Sequence, residues 1–198
     1  MFVVFEGIDK SGKTTLCKAV YNRLQTDNIA CEMIHFPIRT SYIGQILNNY
    51  LVGKIKMDPY SQHLLFTADR YNFMLNKKFD DKCIYLIDRY SWSGITATVS
   101  KGVDLDWCIL TEDKLPKPDL TIFLDCDVEL CAKRHGWGDE VLENVETQIK
   151  IRDVFKQMEN YVDNVITLDT SQNQNVICDK VFKEIKNLIC GVNKRLEN

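Results

Sequence analysis

FVVFEGIDKSGKTT, residues 2–15, is an apolar strand that breaks into glycines, charges and two threonines. Phe2, Val3, Val4 and Phe5 form a continuous apolar run, as expected of a strand covered on both faces, and the run stops at Glu6 and Gly7. Gly7, Gly12, Lys13 and Thr14 occupy every fixed position of the pattern G-x-x-x-x-G-K-[ST]. Glycines let the backbone turn with its N–H groups inward, and a following helix adds its positive end, so such a loop is shaped for phosphate oxygens. The stretch Lys13–Leu24 reads as that helix, with Leu16, Ala19, Val20 and Leu24 on one face. Lys13 supplies a point charge, and the Thr14 hydroxyl is suited to hold Mg2+. The alternative reading is a strand–turn–helix with no ligand.

The rest of the chain narrows the class. Its 198 residues, 45% hydrophobic and 27% charged, suffice for one well-buried core and predict a single domain over residues 1–198. With a net charge of −3 and no block of like charge, nothing favours DNA, RNA or anionic lipid, and the expected partner is small. A strand beginning at residue 2 leaves no room for a signal or transit peptide, and no apolar stretch approaches the roughly 18 residues of a membrane span. The eight cysteines contain no C-x-x-C pair and mostly sit in apolar runs, which predicts buried thiols in a reducing compartment, cytoplasmic or nuclear. His35, His63 and His135 lack metal-ligand spacing, which disfavours a zinc site.

Four more short apolar runs follow the first: residues 30–36 (ACEMIHF), 83–88 (CIYLID), 120–125 (LTIFLD) and 164–169 (NVITLD). Helical patterns separate them. This alternation predicts an α/β fold with a five-stranded parallel sheet flanked by helices on both faces, and ligands at the carboxyl ends of the strands. The loop alone does not choose a reaction. Residues 76–79 read Asn-Lys-Lys-Phe and lack the Asp of the N-K-x-D element expected of a guanine-specific GTPase.

Other segments discriminate further: FPIR (36–39) after the second strand, LLFTADRY (64–71) in a helical stretch, DRYSWSG (88–94) after the third strand, LDWC (105–108), and LPKPDLTIFLD (115–125) into the fourth. This ordered set resembles the thymidylate kinase family from Phe2 to about residue 170, and the spelling GIDKSGKTT is similar to its eukaryotic and poxviral members. The resemblance implies a P-loop nucleoside monophosphate kinase fold with a short lid, Mg2+ as cofactor, and transfer of the γ-phosphoryl of ATP to dTMP. It also implies a homodimer.

Phosphoryl transfer needs two anions brought in line and their repulsion relieved, so cations are required from several directions. Arg39 and Arg89, each just past a strand end, suit bidentate gripping of the acceptor phosphate. Asp88 at a strand tip is suited to meet Mg2+ or to accept a proton, with a helix cap as its structural alternative. The resemblance gives Lys10, Ser11, Gly12, Lys13, Thr14, Thr15 and Arg134 to ATP, with Lys10 where many relatives carry an arginine that bridges donor and acceptor. It gives Asp9, Phe36, Leu51, Ser93 and Gly94 to the acceptor alongside Arg39 and Arg89. Phe66 and Arg70 share a helix face at i, i+4; on the family pattern Phe66 stacks on thymine and Arg70 donates to its O4. Arginine only donates, so cytosine, with an amino group at that edge, should be strongly rejected.

Residues 133–143 (KRHGWGDEVLE) carry two glycines and mixed charge, which predicts a mobile loop in the place of the family's lid. Two positions depart from the family pattern. Ala97 stands where an aromatic is usual, and Leu142 replaces the tyrosine that lies against the nucleoside sugar. A roomier acceptor pocket is the expectation, and the competing functions are a relaxed deoxynucleotide kinase of the same fold or a catalytically silent nucleotide-binding protein.

Overall fold

In β1 (Phe2–Gly7), Val3 and Phe5 point to one face and Val4 to the other, each at most 1% exposed. A strand buried on both faces needs a layer on each side, and the computed structural model, which describes residues 1–196, supplies both. β1 is the middle of a sheet of order β2-β3-β1-β4-β5, with β2 (Cys31–His35), β3 (Ile84–Asp88), β4 (Leu120–Asp125) and β5 (Val165–Asp169). Every neighbouring pair is parallel. β4 spans the residues read from the sequence; Ala30, Phe36, Cys83 and Asn164 fall just outside the other strands.

Two helices cover one face. From α1 (Lys13–Thr26) come Leu16, Val20 and Leu24, and from α8 (Gln174–Leu196) come Val181 and Ile185, all packed over Val3, Phe5 and Leu86. The opposite face takes α3 (Pro59–Asn76), α4 (Ser91–Val99) and α7 (Val145–Met158). There Met74 joins Val4, Tyr85 and Ile87, while Trp92, Ile95, Ile151 and Phe155 join Ile8 and Phe123. The period-2 alternation of each strand therefore feeds two separate apolar layers. Cys17, Cys108, Cys126, Cys131 and Cys178 are buried free thiols, Cys31 and Cys83 are partly buried, and Cys190 is exposed.

Shorter helices complete the frame: α2 (Tyr42–Leu51), α5 (Leu105–Glu112) and α6 (Val128–Ala132). Helix starts are set locally. Asp58 accepts from the N–H groups of Tyr60 and Ser61 with Pro59 at the first helical position, and Ser41, Asp104 and Asn144 cap α2, α5 and α7. α1 differs, because Gly12 precedes it in a left-handed conformation and no side chain caps it. Its first-turn N–H groups are thus left facing the loop.

The chain leaves β1 toward β3 and β2 on one side and later fills β4 and β5 on the other, so the crevice at the carboxyl end of β1 is the topological switch point. In register, Phe5 lies beside Asp88 and Gly7 beside Leu124. A Cβ on Gly7 would stand 2.6 Å from the Leu124 carbonyl oxygen, at φ +145°, so glycine is required there. Residues 133–143 form neither helix nor strand, and composition suggested a mobile loop. In this conformation the segment is wound about the buried Glu143, whose Oε2 accepts from the N–H groups of Gly138 and Asp139 at 3.0 Å and Glu140 at 3.3 Å.

Candidate functional site

Loop and strand tips converge on one cavity of about 400 Å3. Lys13 is 3% exposed; its Nζ donates back to Ile8 O and stands 3.3 Å from Ser11 Oγ. Burial and the nearby Arg89 charge push its ammonium down to about 8, against the pull of Asp9, Asp88 and Glu6. Thr14 Oγ1 donates to Asp88 Oδ2, and His35 Nδ1 lies 3.0 Å from the same oxygen. Burial works to raise the Asp88 carboxyl, but the His35 hydrogen bond and the Lys13 and Arg89 charges outweigh it and hold the group at about 2. Its other oxygen, Oδ1, is buried with no hydrogen-bond partner among the described residues.

Asp9 and Arg89 form an ion pair across the loop. Burial acts to raise the Asp9 carboxyl, and the charges of Arg89 and Lys13 overcome it and keep the group below its usual range. Gln148, fully buried on α7, grips Asp9 twice: its Oε1 accepts from Asp9 N at 2.9 Å and its Nε2 donates to Asp9 Oδ2 at 2.7 Å. The same Nε2 reaches Leu142 O at 3.0 Å, so one side chain joins the phosphate loop to residues 133–143. Lys10 and Arg89 hold positive φ, 58° and 67°, a conformation that costs a non-glycine residue free energy and clusters at functional sites. Glu6, 0% exposed, accepts from the N–H groups of Tyr90 (2.9 Å) and Ser93 (3.2 Å) and from Ser93 Oγ, and so caps α4 from a neighbouring strand. Burial raises its carboxyl.

Like Arg89, two further cations expected at phosphates already have carboxylate partners. Arg39 pairs with Glu140 and also donates to Asn48, and Lys10 Nζ lies 3.3 Å from Glu143. Val141 N donates to Leu51 O at 2.9 Å, so residues 140–143 close over the end of α2.

Elsewhere on the cavity, Arg70 is 2% exposed and its guanidinium is committed along one edge. Nε donates to Glu112 Oε2 at 3.0 Å and Nη2 to Glu112 Oε1, while Thr67 Oγ1 donates to that oxygen at 2.6 Å. Nη1 makes no hydrogen bond among the described residues, and Arg70 lines the cavity together with the partly buried Phe66. Gly94 makes room for this arrangement, because a Cβ there would lie 2.5 Å from Nη2.

All but two of the residues singled out from the sequence line this cavity. The two are Ser11, tucked beneath the loop, and Asp88, behind Thr14. Arg134 lines it and donates to Lys10 O. Sequence reasoning did not reach Glu6, Glu112, Gln148, Glu140, Glu143 or Asp69, whose carboxylate holds the FPIR segment through Ile38 N at 2.8 Å and Ser41 Oγ at 3.0 Å. Glu6 carried a signal: a carboxylate ending an apolar strand must find donors.

A strand–loop–helix of the P-loop pattern, with further arginines lining the same cavity from other strand ends, defines the P-loop nucleoside monophosphate kinase fold. Residues 5–181 match the family described as thymidylate kinase. The chain is 34% identical to thymidylate kinase of Danio rerio over 94% of this chain and 88% of that protein. It is 33% identical to that of Dictyostelium discoideum over 100% and 88%. The solved structure of thymidylate kinase from Candida albicans superposes with a TM-score of 0.84 at 28% identity, covering 94% of this chain and 91% of that one. The chain belongs to the thymidylate kinase family.

Proposed function

We propose that the chain transfers the γ-phosphoryl group of ATP to dTMP, giving dTDP and ADP. The observation that carries this reading is the set of groups gathered on one cavity. Lys13 and Thr14 of the loop, Arg39 and Arg89 from two strand ends, and Arg70 with Phe66 from one helix all line it. The donor's phosphates lie along the loop from Lys10 to Thr15, where inward N–H groups, Lys13 and Arg134 neutralise them. Arg89 and Arg39 hold the acceptor phosphate, one of whose oxygens attacks the γ-phosphorus as its bond to the ADP oxygen breaks. That oxygen is already ionised at neutral pH, so Asp88 need not remove a proton. Phe66 and Arg70 Nη1 receive the base, with Gly94 and Ser93 beneath it.

The residues present fit Mg2+. A buried carboxylate oxygen without a partner and an adjacent threonine hydroxyl form an oxygen donor pair. Thr14 and, directly or through water, Asp88 would hold the ion, which would supply charge neutralisation for the donor phosphates.

We read residues 1–198 as one kinase unit acting on ATP and dTMP without nucleic acid, in the cytoplasm or nucleus. No helix among the described residues is long and apolar enough to cross a membrane. A homodimer is part of the proposal, and exposed Leu64, Leu75 and Leu110 offer it apolar surface; sedimentation equilibrium tests it. The functional test is coupled ADP release with dTMP, dUMP, dGMP and dCMP, with and without Mg2+. Turnover is expected to require an acceptor and to be fastest with dTMP, and Lys13→Ala should lower it ~10²–10³-fold. ATP hydrolysis at the same rate without any monophosphate refutes the reading.

A further inference from the structure

Thr96, in the middle of α4, is 0% exposed and lines the cavity, and its Oγ1 has no hydrogen-bond partner among the described residues. A hydroxyl inside a helix commonly bonds a carbonyl one turn back. Two neighbours do so: Thr98 Oγ1 donates to Gly94 O at 2.8 Å, and Ser100 Oγ donates to Ala97 O at 3.0 Å. Thr96 does not. An unpaired buried hydroxyl is costly to a fold, and where it borders a ligand cavity a ligand atom is its natural partner.

Its surroundings indicate which part of a ligand it meets. Ser93, Thr96 and Ala97 stand at i, i+3 and i+4 on α4, and Gln148, Ile151 and Phe155 run along one face of α7, which packs against α4. All six line the cavity. Ser93 and Gln148 on this wall have their side chains hydrogen-bonded elsewhere, Ala97 brings only a methyl, and Thr96 carries the one uncommitted hydroxyl. The wall lies between Asp9, held by Gln148, and Arg70, which passes over Gly94. On the functional reading above, on which this inference rests, that interval faces the acceptor's sugar.

We propose that Thr96 Oγ1 is a specificity-determining contact for a hydrogen-bonding substituent on the acceptor sugar, so that the enzyme also phosphorylates the ribose counterpart of dTMP. The 2′-hydroxyl enters beside Ala97 and pairs with Thr96. The chemistry is unchanged: a phosphate oxygen of the ribonucleotide bonds to the γ-phosphorus while the bond to ADP breaks. A wholly apolar recess would penalise the added hydroxyl, whereas one that offers it a partner restores what desolvation removes.

The test is ATP-dependent turnover of dTMP and of its ribose counterpart by wild type, Thr96→Val, Thr96→Ser and Ala97→Val, read as the ribose-to-deoxyribose ratio of kcat/KM. Valine keeps the shape of threonine without its hydroxyl, and serine keeps the hydroxyl. Wild type is expected to use the ribonucleotide within about 10²-fold of dTMP. Thr96→Val should lower the ratio about tenfold, and Thr96→Ser should hold it near wild type. If Thr96→Val does not fold, Ala97→Val, which fills the recess, must lower the same ratio. A ratio that does not move in either valine variant overturns the inference, as does a wild type that disfavours the ribonucleotide by more than about 10⁴-fold. Failure to turn over dTMP itself overturns the functional reading and this inference with it, whereas dTMP turnover with an unmoved ratio overturns the inference alone.

Discussion

Replacing Glu112 by glutamine tests how the base end of the cavity is held. The side chain keeps its size, but Arg70 loses the opposite charge in a place where both partners are almost fully buried, at 2% and 4% side-chain exposure. Breaking a buried pair by removing one partner costs about 3–5 kcal/mol, because the remaining charge stays desolvated. Glutamine still offers one oxygen to the guanidinium, which places the expected loss near 3 kcal/mol. Its amide NH2 must then face an Arg70 N–H, that of Nε or of Nη2, since these meet the two Glu112 oxygens; the Thr67 hydroxyl, which now donates at 2.6 Å, can turn and accept. For a chain of this size the loss corresponds to a fall in Tm of roughly 6–12 °C. Stability alone would report only a structural role, so the second readout is base selectivity. With its Nε–Nη2 edge no longer clamped, Arg70 swings, and the dTMP-to-dCMP ratio of kcat/KM should fall while the ATP KM stays put. Calorimetry and coupled ADP release read the two effects. A variant within about 1 kcal/mol of wild type, with an unaltered base ratio, would refute the view that Glu112 aims Arg70.

Three further outcomes follow from the geometry. Gly94→Ala, whose Cβ would meet Arg70 Nη2 at 2.5 Å, should lower kcat/KM for dTMP by displacing the guanidinium and leave ATP affinity unchanged; equal loss with every base would contradict this. Lys13 titrates near 8 in the folded protein, so kcat/KM for ATP should decline as pH rises through about 8, and a profile flat to pH 9.5 would count against Lys13 as the phosphate cation. Because its folded value lies below that of the unfolded chain, the unfolded state binds the extra proton between about 8 and 10.5, and this residue makes stability rise with pH across that window. Asp88 has the same sign in an acid window: lowered from 3.8 to about 2, it contributes stability above the unfolded value that is lost as pH falls through the folded one, worth about 2 kcal/mol. Asp88→Asn should flatten that part of the acid-unfolding curve.

The fold was legible because its signals are local. Alternate burial of Val3, Val4 and Phe5, the glycine spacing to Lys13 and Thr14, and the strand-ending Asp88–Arg89 each lie within a few residues. Cavity-lining cations and aromatics were legible for the same reason, since a motif places each beside a strand end or on a helix face. Partners escaped notice because contact joins residues far apart in the chain. Glu112 meets Arg70 across 42 positions and Gln148 meets Asp9 across 139, and nothing in the local pattern of either acid or amide marks it as different from a solvated one. Residues 133–143 show the same limit from the other side. Their glycines and charges suggested a loop, and the three N–H groups gathered by Glu143 were not legible in that local pattern.

Arg39, Lys10 and Arg89 are held by Glu140, Glu143 and Asp9. On the proposed function, an arriving nucleotide would not add ion pairs to bare cations; it would substitute one anion for another, and the number of pairs would stay nearly constant. Few counter-ions would then be gained or lost by the solution. Affinity for nucleotide should therefore fall less steeply with ionic strength than three screened cations would dictate. The displaced Glu140 and Glu143 would face the incoming phosphate at close range, where like charges repel, so entry of substrate and movement of the segment that carries them are expected to be one electrostatic event.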